Sequence, residues 1–189
     1  MKNDALIDAI LCFLKEYKNE AAKSQPNKED LEELHYLIGQ TIRQYNIPKK
    51  NFHLSKGAKD LWDKLSTKDI LDYHYLETVV CDKLSKTITC NSYKGASNTG
   101  ESLSLSKGSK FVFRKIFHED HIVPVSLIWE TMRDNPMDKQ SLKKLLDKMH
   151  ICYLLKDEDR RIPTTKGRDL DYQKTINDIY TPAGIKLVF

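Results

Sequence analysis

A chain of 189 residues with 40% hydrophobic content can bury one substantial core, or a small catalytic core carrying a helical extension. Its 31 Lys and Arg nearly balance 27 Asp and Glu, and the resulting charge of +4 fits a polyanionic partner without requiring one. No apolar run is long enough to span a bilayer, and no secretory leader is legible because Asp4, Asp8 and the charges from Lys15 onward break the only early apolar stretch, so a cytoplasmic protein is the expectation.

In chain order, residues 3–23 place Leu6, Ile7, Ile10, Leu11, Phe13 and Leu14 at helical spacing, and Lys28 to Tyr45 repeats the pattern with Leu31, Leu34, Ile38 and Ile42. Pro48 ends the second helix. Ser55 or Lys56 then leads into a third carrying Ala58, Leu61, Trp62 and Leu65, and Thr67 is placed to cap a short fourth through His74. From Tyr75 the residues turn β-branched, with Thr78, Val79 and Val80 and then Thr87, Ile88 and Thr89. The Ser, Gly, Asn and Lys of residues 91–110 predict a loop or irregular hairpin, after which Phe111, Val112 and Phe113 begin a strand running into His118-Glu-Asp-His121. Helices follow from Leu127 to about Asn135 and from Lys139 to Met149, then a strand from His150 to Leu155 and the opening turns of a helix at Lys156. One more helix is predicted around Tyr172 to Tyr180, before an apolar end at Ile185 to Phe189. Trp62, Tyr73, Tyr75, Met132 and Met149 read as core.

Cys12, Cys81, Cys90 and Cys152 form no C-x-x-C pair, which argues against a zinc ribbon. Free thiols are the default reading, with Cys81 and Cys90 also spaced to pair across a hairpin. A Gly-x-x-x-x-Gly-Lys loop, a Gly-x-Ser-x-Gly elbow and a dinucleotide fingerprint are all missing from the sequence.

The chemistry concentrates where an apolar run ends, at Phe117-His-Glu-Asp-His-Ile-Val-Pro124. Asp120 is a hard donor for a cation, and the adjacent His121 is suited to take a proton from water. Phosphodiester hydrolysis needs those two jobs done within a few ångströms. His118 and Glu119 flank the pair and read as structural, since strand alternation turns at least one of them away.

The segment Asp120-His-Ile-Val-Pro124, together with His150-Ile-Cys-Tyr-Leu-Leu-Lys-Asp-Glu-Asp159, resembles the HNH family of nucleases. The likeness covers residues 109–162. It implies a small ββα-metal nuclease region within residues 76–189, and with the helices read from spacing over residues 1–75 the expectation is an α+β fold in which that helical region packs on the nuclease core as one compact unit. It also implies that Asp120 and Asp159 coordinate one Mg²⁺ or Mn²⁺ while His121 acts as general base. His150, where many members carry Asn, would orient the loop or His121. Asp159 stands nine residues on, where Asn or His is common, and Glu158 or Asp157 replaces it if the register slips.

Arg160 and Arg161 are placed to grip the phosphate or to form a solvated helix face. Lys94, Lys107, Lys110, Arg114 and Lys115, with Tyr93 among them, stud the Ser/Gly-rich stretch and the strand after it as a basic arm for DNA phosphates. The expected activity is a sequence-specific restriction-type endonuclease acting on DNA, of a class whose members often act as homodimers on palindromic sites. The alternatives are a nuclease of a mobile element or toxin, and a nucleic-acid-binding module without chemistry.

Overall fold

The computed structural model describes residues 2–73, 76–93, 100–162 and 167–188. The fold is mixed α and β and divides into two compact units: residues 1–48, 121–150 and 168–175 form the first, and residues 49–120, 151–167 and 176–189 the second.

The first unit is helical. Helix α1, Lys2–Ala21, packs on α2, Lys28–Arg43, and these meet α4, Val125–Asp134, and α5, Lys139–Leu146. The periodicity places Ile7, Ile10, Leu14, Ile38, Ile42, Ile128, Trp129, Met132, Leu142 and Leu146 in one buried cluster. Asn27 caps α2 by accepting from Glu29 N–H, and Asp138 caps α5 by accepting from Ser141 N–H at 2.7 Å, which satisfies donors that a helix start leaves open. Tyr45 Oη donates to Asp147 at 2.7 Å, and burial raises its phenol pKa, with the Asp147 carboxylate adding to the effect. The second predicted post-Pro124 helix stops at Leu146, short of Met149, because the N–H of Asp147 closes the last turn on Lys143 and Leu145.

The second unit is built on a four-stranded sheet in the order β6-β7-β1-β8, with β1 at Phe52–Ser55, β6 at Phe117–His121, β7 at Ile151–Leu155 and β8 at Leu187–Val188. Strands β1 and β7 are parallel, with His53 opposite Cys152, whereas β1 and β8 are antiparallel. The N–H of Lys156, just past β7, donates to the carbonyl of Ile116, just before β6, at 3.1 Å. The end of β7 therefore lies beside the start of β6, and these two strands run in opposite directions. Helix α3, Lys56–Leu65, covers the sheet and is capped by Ser55, one of the two residues expected to lead into it. Trp62 sits among Phe113 and Phe117 at 6.0 and 5.7 Å between ring centroids and gives its indole N–H to the Lys68 carbonyl.

Several local expectations need correction. Thr67 does not cap the next turn: its N–H and hydroxyl both bond Asp82, and Asp69 caps a short 3-10 turn, Ile70–Asp72, through Leu71 N–H. The strand expected from Phe111 into the acidic-His cluster is broken. Strand β5, Lys110–Val112, pairs with β2, Thr78–Val80, and a 3-10 turn at Phe113–Lys115 precedes β6 because Phe113 turns fully into the core. Around the polar stretch the described residues form an antiparallel ladder, β3, Ile88–Tyr93, with β4, Gly100–Leu105, over six residue pairs, and residues 94–99 of the expected loop lie outside the described residues. Gly108 makes the following turn at φ 86°, a conformation that costs a residue with a Cβ. The helix predicted to Tyr180 is α7, Tyr172–Thr175, continued by one π-helical turn, Ile176–Tyr180. All four cysteines are free thiols. Among the described residues no helix is long and apolar enough to cross a membrane.

Candidate active site

In the second unit, β6, β7 and the short helix α6, Lys156–Asp159, follow one another as two neighbouring strands and a helix. Side chains on a strand alternate, so β6 has two functional faces. Phe117 is buried in the core with Tyr153 of β7, and Glu119, on the same face, bonds the Tyr153 phenol. Burial raises the pKa of that phenol, and the charge and hydrogen bond of Glu119 raise it further. His118 and Asp120 take the opposite face.

That opposite face meets α6 and the π-helical turn. Asp159 Oδ1 lies 3.6 Å from His118 Nε2, and both side chains are about one-third exposed. Tyr180, fully buried on the π-turn, donates its hydroxyl to Asp120 Oδ2. The Asp159 carboxylate is thus held beside a strand face on which Asp120 projects two residues farther along, about 7 Å by strand rise.

The two other carboxylates of α6 are committed to structure. Glu158 is 8% exposed, accepts the Ser55 hydroxyl, and accepts Leu155 N–H at 2.9 Å on the same oxygen. It joins the cap of α3 to the first turn of α6. Gly57 makes room for it, since a Cβ there would sit 2.6 Å from Glu158 Oε1. Asp157 is exposed and accepts from the Asn91 side chain of β3 at 2.8 Å.

The basic candidates separate in the same unit. Arg161 turns back toward Glu158, with Nη2 3.9 Å from Oε1. Arg160 is exposed and interacts with the Lys156 side chain. Arg114, on the 3-10 turn before β6, is exposed and its charge also acts on Lys156, while Lys107 and Lys110 are exposed near the β4–β5 turn. Lys94 lies outside the described residues.

In the first unit, His121 is partly exposed, and its carbonyl accepts from the Arg168 guanidinium. His150 is 9% exposed, stacks on Tyr172 with ring centroids 3.7 Å apart, and accepts Ile122 N–H on its carbonyl at 2.9 Å. The backbone on the far side of His121 is thereby fixed by His150.

His118, Tyr180, Lys156 and Arg168 are neighbours of the predicted site residues that the sequence reading did not assign to the site. Strand period alone puts His118 on the Asp120 face. The Tyr180 contact spans 60 residues and has no local signature.

Among the described residues no group of three or more His, Cys, Asp or Glu is close enough to hold a metal ion. The candidate donors are the two carboxylates of Asp120 and Asp159, oxygen ligands of the kind that a hard divalent ion takes alongside waters. No protein-family model, curated protein or solved structure matches the chain.

Proposed function

We propose that the protein is a metal-dependent endonuclease that hydrolyses DNA phosphodiester bonds through an HNH-like ββα-metal arrangement of β6, β7 and α6. The observation that carries this reading is the place of Asp159. Nine residues after His150, it ends the helix that follows β7 and turns its carboxylate to the β6 face bearing Asp120.

Asp120 and Asp159 would hold one Mg²⁺ or Mn²⁺, with His118 beside Asp159 and Tyr180 fixing the Asp120 carboxylate. A carboxylate oriented by a hydrogen bond is a better defined ligand than a free one. The ion, when bound, supplies positive charge to the phosphate and to the departing 3′ oxygen. His121 follows Asp120 directly in the chain as the last residue of β6. Strict alternation would put it on the Glu119 side, so its role as the base that accepts the proton of the attacking water requires the bend beginning at Ile122 to bring its imidazole round. His150 steadies the segment after His121 through Ile122, and Arg160 holds the phosphate electrostatically. Arg161, drawn toward Glu158, is the weaker of the two arginine candidates.

A restriction-type role, with cleavage at one sequence by a homodimer, is the specific form of this proposal. Incubating supercoiled plasmid with the protein and Mg²⁺ or Mn²⁺ tests it. Discrete fragments support a restriction enzyme, and nicking or a smear supports a less selective nuclease. A mobility shift with no cleavage in either metal would leave only a binding module.

A further inference from the structure

Lys156 opens α6, and two backbone hydrogen bonds gather other cations around it. Its own N–H is tied to the Ile116 carbonyl at 3.1 Å, which brings α6 beside the turn carrying Arg114 two residues earlier. Its carbonyl accepts Arg160 N–H at 3.3 Å. The Lys156 side chain is half-buried, whereas Arg114 and Arg160 are exposed, and both lie near enough for their charge to act on it. Three cations of the second unit therefore share one small region beside Asp159.

We infer that Arg114, Lys156 and Arg160 form a cradle for one backbone phosphate of a nucleic-acid strand, adjoining the Asp159 side of the candidate active site. Lys156 is the centre of the cradle. The electrostatics agree with the geometry: partial burial depresses the Lys156 pKa most, repulsion from Arg114 and Arg160 depresses it further, and Asp159 acts in the opposite direction. A bound phosphate relieves that repulsion. It also suits the two-pronged geometry of guanidinium groups, with the ammonium as a point charge between them.

This inference rests on the nuclease reading for the identity of its ligand, so its test avoids catalysis. Binding of a fluorescently labelled duplex is followed by anisotropy in EDTA across a range of salt for the parent, Lys156→Gln, its double variant with Arg114→Gln, Lys156→Arg and, as a remote control, Lys86→Gln. Each phosphate contact contributes about 0.9 to the slope of log K against log salt for duplex DNA. Because the three cations share one phosphate, Lys156→Gln and the double variant with Arg114→Gln should each reduce the magnitude of the slope by about 0.9 and not by twice that, and Lys156→Arg and Lys86→Gln should leave it at the parental value. If Lys156→Gln does not fold, the exposed Arg114 and Arg160 carry the same test through their Gln variants. A parental slope in the Gln variants, an equal loss in Lys86→Gln, or no duplex binding by the parent would overturn the cradle. A protein that shows the predicted slopes yet cuts no plasmid with metal would keep the cradle and lose the nuclease.

Discussion

Asp159 Oδ1 and His118 Nε2 face each other at 3.6 Å across the α6–β6 contact, pairing a residue chosen from its spacing with one set aside as structural. If the pair forms part of a metal site, Asp159→Ala abolishes the heat of Mn²⁺ binding in calorimetry, and His118→Ala weakens it by about 10–100-fold, the usual effect of losing a ligand's supporting partner. Glu119→Ala, on the Tyr153 side of the strand, leaves metal affinity unchanged. Undiminished heat for Asp159→Ala would move the ligand to Asp157, because Glu158 is taken up by Ser55 and Leu155.

Glu158 acts as a structural clamp. Replacing it with Ala leaves the Ser55 hydroxyl and the Leu155 N–H without their buried acceptor, at a cost of about 2–4 kcal/mol from two lost hydrogen bonds, one of which is the cap of α6. Ser55→Ala costs about 1–2 kcal/mol, and the double variant costs less than the sum because the two residues share a bond. Urea denaturation of the three variants measures this. Strictly additive losses would mean that the two side chains act independently.

Tyr180 has a separable role. Tyr180→Phe preserves the buried ring and removes only the hydroxyl that holds Asp120. Metal affinity should fall about tenfold or more while the melting temperature moves by only a few degrees. Equal metal affinity in the variant would reduce Tyr180 to packing.

His53 makes stability depend on pH. It is 1% exposed on β1, and burial lowers its folded pKa below the ordinary 6.5. The unfolded chain therefore binds its proton first as pH falls, so the stabilising contribution is present above pH 6.5 and is lost on going down through the folded pKa. Denaturation midpoints at pH 7.5 and 5.5 should drop less in His53→Leu than in the parent. Parallel drops would assign the acid sensitivity to other groups.

The helices were legible because their apolar residues recur at helical spacing, and Ser55 was one of two residues legible as the start of α3, the one whose side chain proves to cap it. Strand β1 was not, since Phe52-His-Leu-Ser55 is too short for a pattern and is set by its pairing with β7 and β8. Thr67 and Asp69 are equally good caps in isolation; the remote Asp82 engages Thr67 and leaves the cap to Asp69. At the site, the Asp120-His121 pair and the resemblance to HNH nucleases pointed to Asp120 and Asp159, and the alternation of β6 would have added His118. Tyr180 and Lys156 depend on which segments cover the outer face of β6, which only tertiary packing decides.

The central claim is that His121 acts as the base in phosphodiester hydrolysis next to the carboxylate of Asp120. The most direct measurement is the single-turnover cleavage rate of His121→Ala against the parent, with enzyme in excess over plasmid, Mg²⁺ saturating and DNA affinity measured in parallel. The account predicts a rate lower by about 10²–10⁴ with affinity preserved, since the imidazole acts on water in the chemical step. Cleavage at the parental rate by His121→Ala would contradict it.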